Sequence, residues 1–305
     1  MARVSIIIPT YNRASLLPQA IASALKAGSD VEVIVVDDAS TDQTASVCRG
    51  LAGFEYVRLE QNAGLAQARN AGIMKSSGEF LAFLDDDDLR LAGSIDRQAA
   101  LLVANETFGF VYGQVLIGDS KLCRPTGEIR PVRCPSGDLF WEFLRGNFIH
   151  VPSVLVRRRC LLEVGLFDPT MRATEDWDMW IRLAARYNTG GLDEPVAIYR
   201  DFSPSSGQLS SNRLKMCKAS AITLNKALNS ERGRDASEAL RRQVWADYID
   251  LLCGDLIVAG QRSLVNGQFR YAALNYLEAL RLHPKRWRLR QVISSIVASS
   301  RLSPG

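Results

Sequence analysis

The sequence predicts an α/β protein, a mostly parallel sheet flanked by helices, followed by an all-helical C-terminal region. Three observations predict it. Short β-branched runs alternate with segments of helical period through the first two hundred residues, the pattern of a parallel sheet whose crossovers are helices. Several of these runs end in polar loops rich in aspartate. From about Ser206 the strand runs disappear, and helical periodicity continues almost to the end of the chain.

Taken in order, Arg3 to Ile8 is a buried strand that Pro9 stops, and Thr10-Tyr11-Asn12-Arg13 follow as a loop. Leu17, Ile21, Ala24 and Leu25 recur at helical spacing, and Gly28 closes that helix. Val31 to Val36 is a second strand ending in Asp37-Asp38, and Ala39 to Asp42 cap a helix from about Gln43 to Cys48. Phe54 to Leu59 is a third strand and Ala63 to Ile73 a third helix. Phe80 to Leu84 is too short an apolar run for a helix and is a fourth buried strand; it runs straight into Asp85-Asp86-Asp87-Asp88.

Ala92 to Val103 is helical and Phe108 to Ile117 strand-like, whereas residues 118–137, rich in Gly, Pro and charge, read as a mobile loop. Ser136 to Leu144 is a short helix, Val151 to Val156 a strand, Arg159 to Val164 a helical turn and Gly165 to Pro169 a turn. Glu175 to Tyr187 is a strong helix with Trp180, Leu183, Ala184 and Tyr187 as its buried stripe. Its Asp178, Arg182 and Arg186 lie four apart and can pair. Leu192 to Tyr199 is the last strand. Further on, Gly233, Gly254, Gly260 and Gly267 read as breaks or bends. Gly267 to Leu280, then Pro284, is similar to a single tetratricopeptide-type hairpin repeat. The expected domains are residues 1–205, with halves at about 1–104 and 105–205, and a helical domain over 206–305.

Composition narrows the class. Hydrophobic content of 47% and charged content of 23% are those of a globular chain able to bury a core. No leader pattern of a signal peptide opens the sequence, and no run of about 18 apolar residues would span a membrane. Cys48, Cys123, Cys134, Cys160, Cys217 and Cys253 show no CxxC spacing, which points to reduced thiols rather than a disulfide framework or zinc site. The expected location is therefore cytoplasmic. Charge is uneven: 16 Lys/Arg against 8 Asp/Glu beyond residue 200, and 21 against 25 before it. Arg281, Lys285, Arg286, Arg288 and Arg290, interleaved with Trp287, Leu289, Val292 and Ile296, make a basic amphipathic end. It suits the inner, anionic face of a membrane, a protein partner, or simply solvent. No nucleic-acid-binding module is recognisable.

In a parallel sheet, ligands sit beyond the carboxyl ends of the strands. The loops after strands one, two and four would gather Thr10, Tyr11, Asp38 and the four acids around one cleft. Four carboxylates at the end of a buried strand repel one another, so they call for a hard divalent cation bridging to phosphate oxygens. The other reading is an acidic helix N-terminus, where aspartates cap backbone N–H groups. Glu175 and Asp176 likewise sit where dipole compensation alone would place acids.

Six segments in order carry a specific resemblance: Val4 to Arg13, Val35 to Ser40, Asn62 to Ile73, Phe83 to Asp88, Gly165 to Asp168 and Glu175 to Trp180. Together they resemble the inverting, metal-dependent glycosyltransferase family 2 of GT-A fold, over about two thirds of the chain. The resemblance implies that Pro9, Thr10, Tyr11 and Arg13 line the nucleotide-sugar pocket and that Asp38 accepts from the base or ribose. It places Arg69 near the diphosphate and makes Asp85, Asp86 and Asp87 the acidic metal motif. Asp87 would ligate Mn²⁺ or Mg²⁺, with Asp86 facing the ribose and the metal shell. Asp176, with Glu175 beside it, matches the general base, which displaces dipole compensation as the reading of that pair. The implied reaction moves a sugar from a nucleotide-diphospho-sugar, a UDP-sugar before a GDP- or dTDP-sugar, to an acceptor hydroxyl on a glycan, glycolipid or protein during cell-surface polysaccharide synthesis.

One departure stands out. Relatives carry a histidine shortly after a Tyr-Arg pair; here Tyr199-Arg200 is followed by Asp201 and Phe202, and the histidines are His150 and His283. Either Arg200 or a residue within 201–210 would then take that work, or metal binding would be weaker, while His150, just before a strand, reads as structural. Two other functions compete. A nucleotidyltransferase would carry a Gly-rich basic signature after the first strand, which Pro9 to Asn12 lack. A catalytically silent sugar-nucleotide-binding or scaffold protein would not need Asp85 to Asp87 and Asp176 intact.

Overall fold

The computed structural model describes residues 4–121, 123–171, 173–201, 213–265 and 267–282. Its elements run β1 (Val4–Thr10), α1 (Leu17–Ala24), β2 (Val31–Asp37), α2 (Thr44–Arg49), β3 (Glu55–Arg58), α3 (Leu65–Lys75) and β4 (Phe80–Phe83). Then come β5 (Leu89–Arg90), α4 (Ser94–Ala104), β6 (Phe108–Gly118), β7 (Pro125–Arg130), α5 (Phe140–Arg145), a 3-10 turn (Val151–Ser153), β8 (Val154–Arg157), α6 (Arg158–Val164), α7 (Glu175–Ala184) and β9 (Asn188–Arg200). The C-terminal helices are α8 (Arg213–Leu228), α9 (Glu231–Arg234), α10 (Glu238–Val265) and α11 (Phe269–Leu282). The chain divides into two compact units, residues 1–143 with 147–203, and residues 144–146 with 204–305.

The first unit holds one mixed sheet in the order β3-β2-β1-β4-β8-β6-β9-β5, with β7 on β6. Strands β1 to β4 are parallel to their neighbours within that group, as the sequence predicts. Beyond β4 the direction changes: β8 is antiparallel to both β4 and β6, while β6 and β9 run parallel. All of β1 is buried, because helices cover both faces and every side chain meets apolar surface. Helix α3 lies directly on this sheet at Gly72, where a Cβ would stand 2.4 Å from Ile7 Cγ2 and 3.2 Å from Val36 Cγ2.

The structure differs from the sequence reading at several places, each for a local reason. Strand β1 continues through Pro9 to Thr10. Ile7 O accepts from Leu84 N on the β4 side, and alternation turns the missing N–H of Pro9 to that same side, where the β1–β4 register has already ended at Ile7. Residues 118–137 are not one loop: β7 pairs antiparallel with β6, an exposed edge strand whose side chains show no apolar alternation. Two-residue β5, paired to β9, is too short to leave a pattern.

In the second unit α10 passes unbroken through Gly254 and Gly260. At Gly260 the missing side chain admits the ring of Tyr276, whose atoms would stand 2.8 Å from a Cβ, so the glycine serves close packing of α11. Gly267, at φ +70, does form the break between α10 and α11. All six cysteines are buried free thiols. Among the described residues no helix is long and apolar enough to cross a membrane. Phe202, the rest of 202–210, His283 and the basic segment Lys285 to Arg290 lie outside the described residues.

Candidate active site

Parallel register brings the ends of three strands to one edge. Thr10 of β1 sits opposite Asp37 of β2, and Ile7 opposite Phe83, so β4 delivers Leu84 and the four acids beside Thr10. Asp85 to Asp88 form the turn between β4 and β5, while α4 starts only at Ser94. The capping reading of these acids therefore fails. Thr10 Oγ1 donates to Asp86 Oδ2 at 2.6 Å. Arg13 Nη1 stands 4.0 Å from Asp87 Oδ2, whose side chain is 13% exposed. Asp88 accepts from Arg200 N at 2.8 Å.

These charges are crowded. Burial, then the charge of Asp87, pushes Asp86 up to about 7, although Thr10 and Arg13 pull it down. Asp88 is raised well above the carboxylate range by burial and by Asp87 and Asp85. Hard oxygen donors crowded closely enough to raise one another's pKa fit a divalent ion, whose charge would relieve that repulsion. Among the described residues no group of three or more His, Cys, Asp or Glu is arranged around a metal position. Asp87 and Asp86 are the carboxylates of this turn that could hold such an ion.

The neighbouring loops are tied to one another. Asn12, in the left-handed region at φ 54, accepts from Thr41 N at 2.8 Å and Asp42 N at 3.2 Å through Oδ1. Its own N–H donates to Ser40 Oγ at 2.9 Å. Asp38 accepts from Ala63 N at 2.7 Å and Gly64 N at 2.8 Å, so its two carboxylate oxygens anchor the loop after β3. Pro9 is buried, whereas Tyr11 is 45% exposed.

Arg69, expected near the diphosphate, is a buried and doubly paired cation. It is 1% exposed; Nη2 donates to Asp85 Oδ1 at 2.8 Å and Nη1 to Glu175 Oε1 at 2.7 Å. Burial alone would lower its pKa, but Asp85 and Glu175 outweigh burial and keep it charged. Glu175 is 5% exposed and faces Arg69. Asp176, one residue on, is half-buried. Its oxygens accept from Trp177 N at 2.7 Å and Asn147 Nδ2 at 3.1 Å. Burial, followed by Glu175, raises its pKa to about 7, against the pull of Arg69. An apolar frame holds this helix end: Trp177 Nε1 donates to Phe143 O, and Asn70 exchanges hydrogen bonds with the backbone of Phe167. Asp178 pairs with Arg182, as expected, and Arg182 clamps the carbonyls of Val164, Gly165 and Leu166.

The missing histidine leaves no work for Arg200 at the surface. Arg200 is 1% exposed and donates to Asp87 O, Lys121 O and Gln19 Oε1, so it shapes the acidic turn from behind. His150 packs edge-on against Tyr199, and burial lowers its pKa to about 4, which keeps it neutral. Sequence reasoning missed Asn12, Asn147 and the inward face of Arg200. Asn12 sat within a recognised segment; Asn147 left no signal.

The family model of Glycosyl transferase family 2 matches residues 5–162. The succinoglycan biosynthesis protein ExoU of Rhizobium meliloti is 30% identical over 259 residues, 78% of this chain and 73% of its own length. Several rickettsial relatives at 30–32% identity are matched over only about a third of their length. Among solved structures, S. aureus TarS 1-349 in complex with UDP-GlcNAc has a TM-score of 0.62 at 20% identity, covering 97% of this chain and 87% of that one. The mannosyltransferase PcManGT of Pyrobaculum calidifontis, in complex with GDP-Man and Mn²⁺, has a TM-score of 0.61 at 21% identity, covering 99% and 86%. These likenesses show that the mixed sheet with its flanking helices has the fold of GT-A glycosyltransferases.

Proposed function

The chain belongs to glycosyl transferase family 2, and on that premise we propose that it moves a sugar from a nucleotide-diphospho-sugar to an acceptor hydroxyl with inversion at the anomeric carbon. The observation that carries this reading is the pairing of two acidic centres through one buried cation: Arg69 joins Asp85 of the turn after β4 to Glu175, next to Asp176. A donor seated against the first centre lies within reach of a base at the second.

The donor would rest along Thr10, Tyr11 and Arg13, with Asp38 behind it holding the loop after β3. Asp87, with Asp86, would hold a Mn²⁺ or Mg²⁺ ion. Such an ion, when bound, supplies positive charge against the charge that develops on the leaving diphosphate. The acceptor oxygen attacks the anomeric carbon as the bond to the diphosphate breaks. The electron pair leaves with the diphosphate, and the acceptor proton passes to Asp176. A carboxylate whose pKa is raised to about 7 is a stronger base than an ordinary one and is still substantially ionised at neutral pH. A single displacement inverts the centre and needs no second nucleophile.

TarS with UDP-GlcNAc supports a uridine donor, and PcManGT with GDP-Man and Mn²⁺ supports a metal-bound nucleotide. The R. meliloti relative supports a polysaccharide acceptor. Calorimetry with UDP, GDP and dTDP, with and without Mn²⁺, tests the reading on wild type and Asp87→Ala. We expect one nucleotide to bind at about micromolar strength, with loss of at least about tenfold, or about 1.4 kcal/mol, on removing either metal or Asp87. Absence of binding under every condition would favour a silent scaffold.

A further inference from the structure

Asp176 accepts a hydrogen bond from a residue that no sequence pattern marked. Asn147 Nδ2 stands 3.1 Å from Asp176 Oδ2, and Asn147 Oδ1 accepts from Ile149 N at 3.4 Å. Both ends of the amide are therefore matched, oxygen to a backbone donor and nitrogen to a carboxylate, which fixes which way the amide points. Although Asn147 itself is exposed, buried neighbours set its place. Phe148 stacks on Phe143 at 4.8 Å and meets Tyr112 edge-on at 5.9 Å. Phe143 O in turn receives the indole N–H of Trp177, the residue after Asp176.

We propose that Asn147 is a positioning residue for Asp176, holding its carboxylate in one orientation and favouring its ionised form, so that one oxygen lone pair stays open to the acceptor proton. The proposal rests on the reading of Asp176 as the base. Its chemistry is simple. Asn147 can donate to a carboxylate, and donation to the charged form stabilises it. The other groups that act on Asp176 are Glu175 on the same helix, Arg69 of α3 and Asp85 of the turn after β4. Glu175 and Asp85 disfavour its charge, and Arg69 and the N–H of Trp177 favour it. Among these, Asn147 is the one exposed side chain, so its removal disturbs the base without opening the core.

The test is carbon-13 NMR titration of aspartate-labelled protein, with the Asp176 carboxyl resonance assigned by its disappearance in Asp176→Asn. Asn147→Ala is expected to move the Asp176 midpoint up by about half to one pH unit. Asn147→Asp, which sets a second carboxylate against the first, is expected to move it further, by about one unit or more. In turnover the acid limb should move the same way, with kcat of Asn147→Ala at pH 7 down by about twofold to fivefold and donor KM unchanged. An Asp176 midpoint that stays put in both variants overturns the proposal. A midpoint that moves in a protein that transfers no sugar keeps Asn147 as the partner of Asp176 and sinks the transferase reading instead.

Discussion

Replacing Arg69 with methionine removes the guanidinium while keeping much of the apolar stem. The side chains of Arg69 and Glu175 are 1% and 7% exposed, so the change leaves Glu175 as a buried charge without its counter-ion. Breaking a buried pair in this way costs about 3–5 kcal/mol. The Asp85 leg adds little, about 1 kcal/mol or less, because that carboxylate is 29% exposed and water screens it. Loss of the guanidinium over the Phe167 ring, at 5.4 Å, adds about 0.5–1 kcal/mol. Because such contributions are not additive, about 4 kcal/mol is the working expectation for Arg69→Met. Urea unfolding of Arg69→Met, Glu175→Gln and the double variant at one pH measures it. The double variant should be more stable than the sum of the singles by about 2 kcal/mol, since Gln no longer needs a cation. A loss under about 1 kcal/mol in Arg69→Met, or strict additivity, would refute the argument that this buried pair holds the two acidic centres together.

Other outcomes follow from the same geometry. Asp176→Asn should lower transfer by about 10²–10⁴-fold, while wild-type transfer should fall as pH drops through about 7, where Asp176 gains its proton; a flat pH–rate profile would contradict the assignment. Stability moves oppositely. A carboxyl whose folded pKa lies above its unfolded 3.8 costs stability as pH rises from about 3.8 to about 7. Asp176→Asn should therefore have a Tm at pH 8 no lower than wild type, as checked by calorimetry. Gly72→Val should cost about 1–3 kcal/mol by driving its side chain into Ile7 and Val36, and a neutral result would mean that α3 can shift off the sheet.

The parallel half of the sheet was legible residue by residue. Apolar, mostly β-branched runs such as Val4 to Ile8 and Val33 to Val36 are buried on both faces and leave little choice but a central strand. The segment around Asp85 to Asp88 was legible as chemistry, because like charges at a buried strand end require an explanation. What the chain order could not contain was long-range pairing. Arg69 and Glu175 are 106 residues apart and Asn147 and Asp176 are 29 apart; only the fold brings α3 and the segment after α5 to the start of α7. The same applies to Arg200, a candidate in sequence for the work of the missing histidine, which closes on Asp87 and Asp88 from 113 and 112 residues away. Edge strand β7 and the glycines inside α10 were misread because exposure and helix–helix contact, rather than local pattern, decide them. The sequence alone determined which residues are apolar, which strands they build and which acids need a partner. Only the tertiary structure decided which partner each acid receives, because a charge in a low-dielectric interior answers to whatever lies within a few ångströms, however far along the chain.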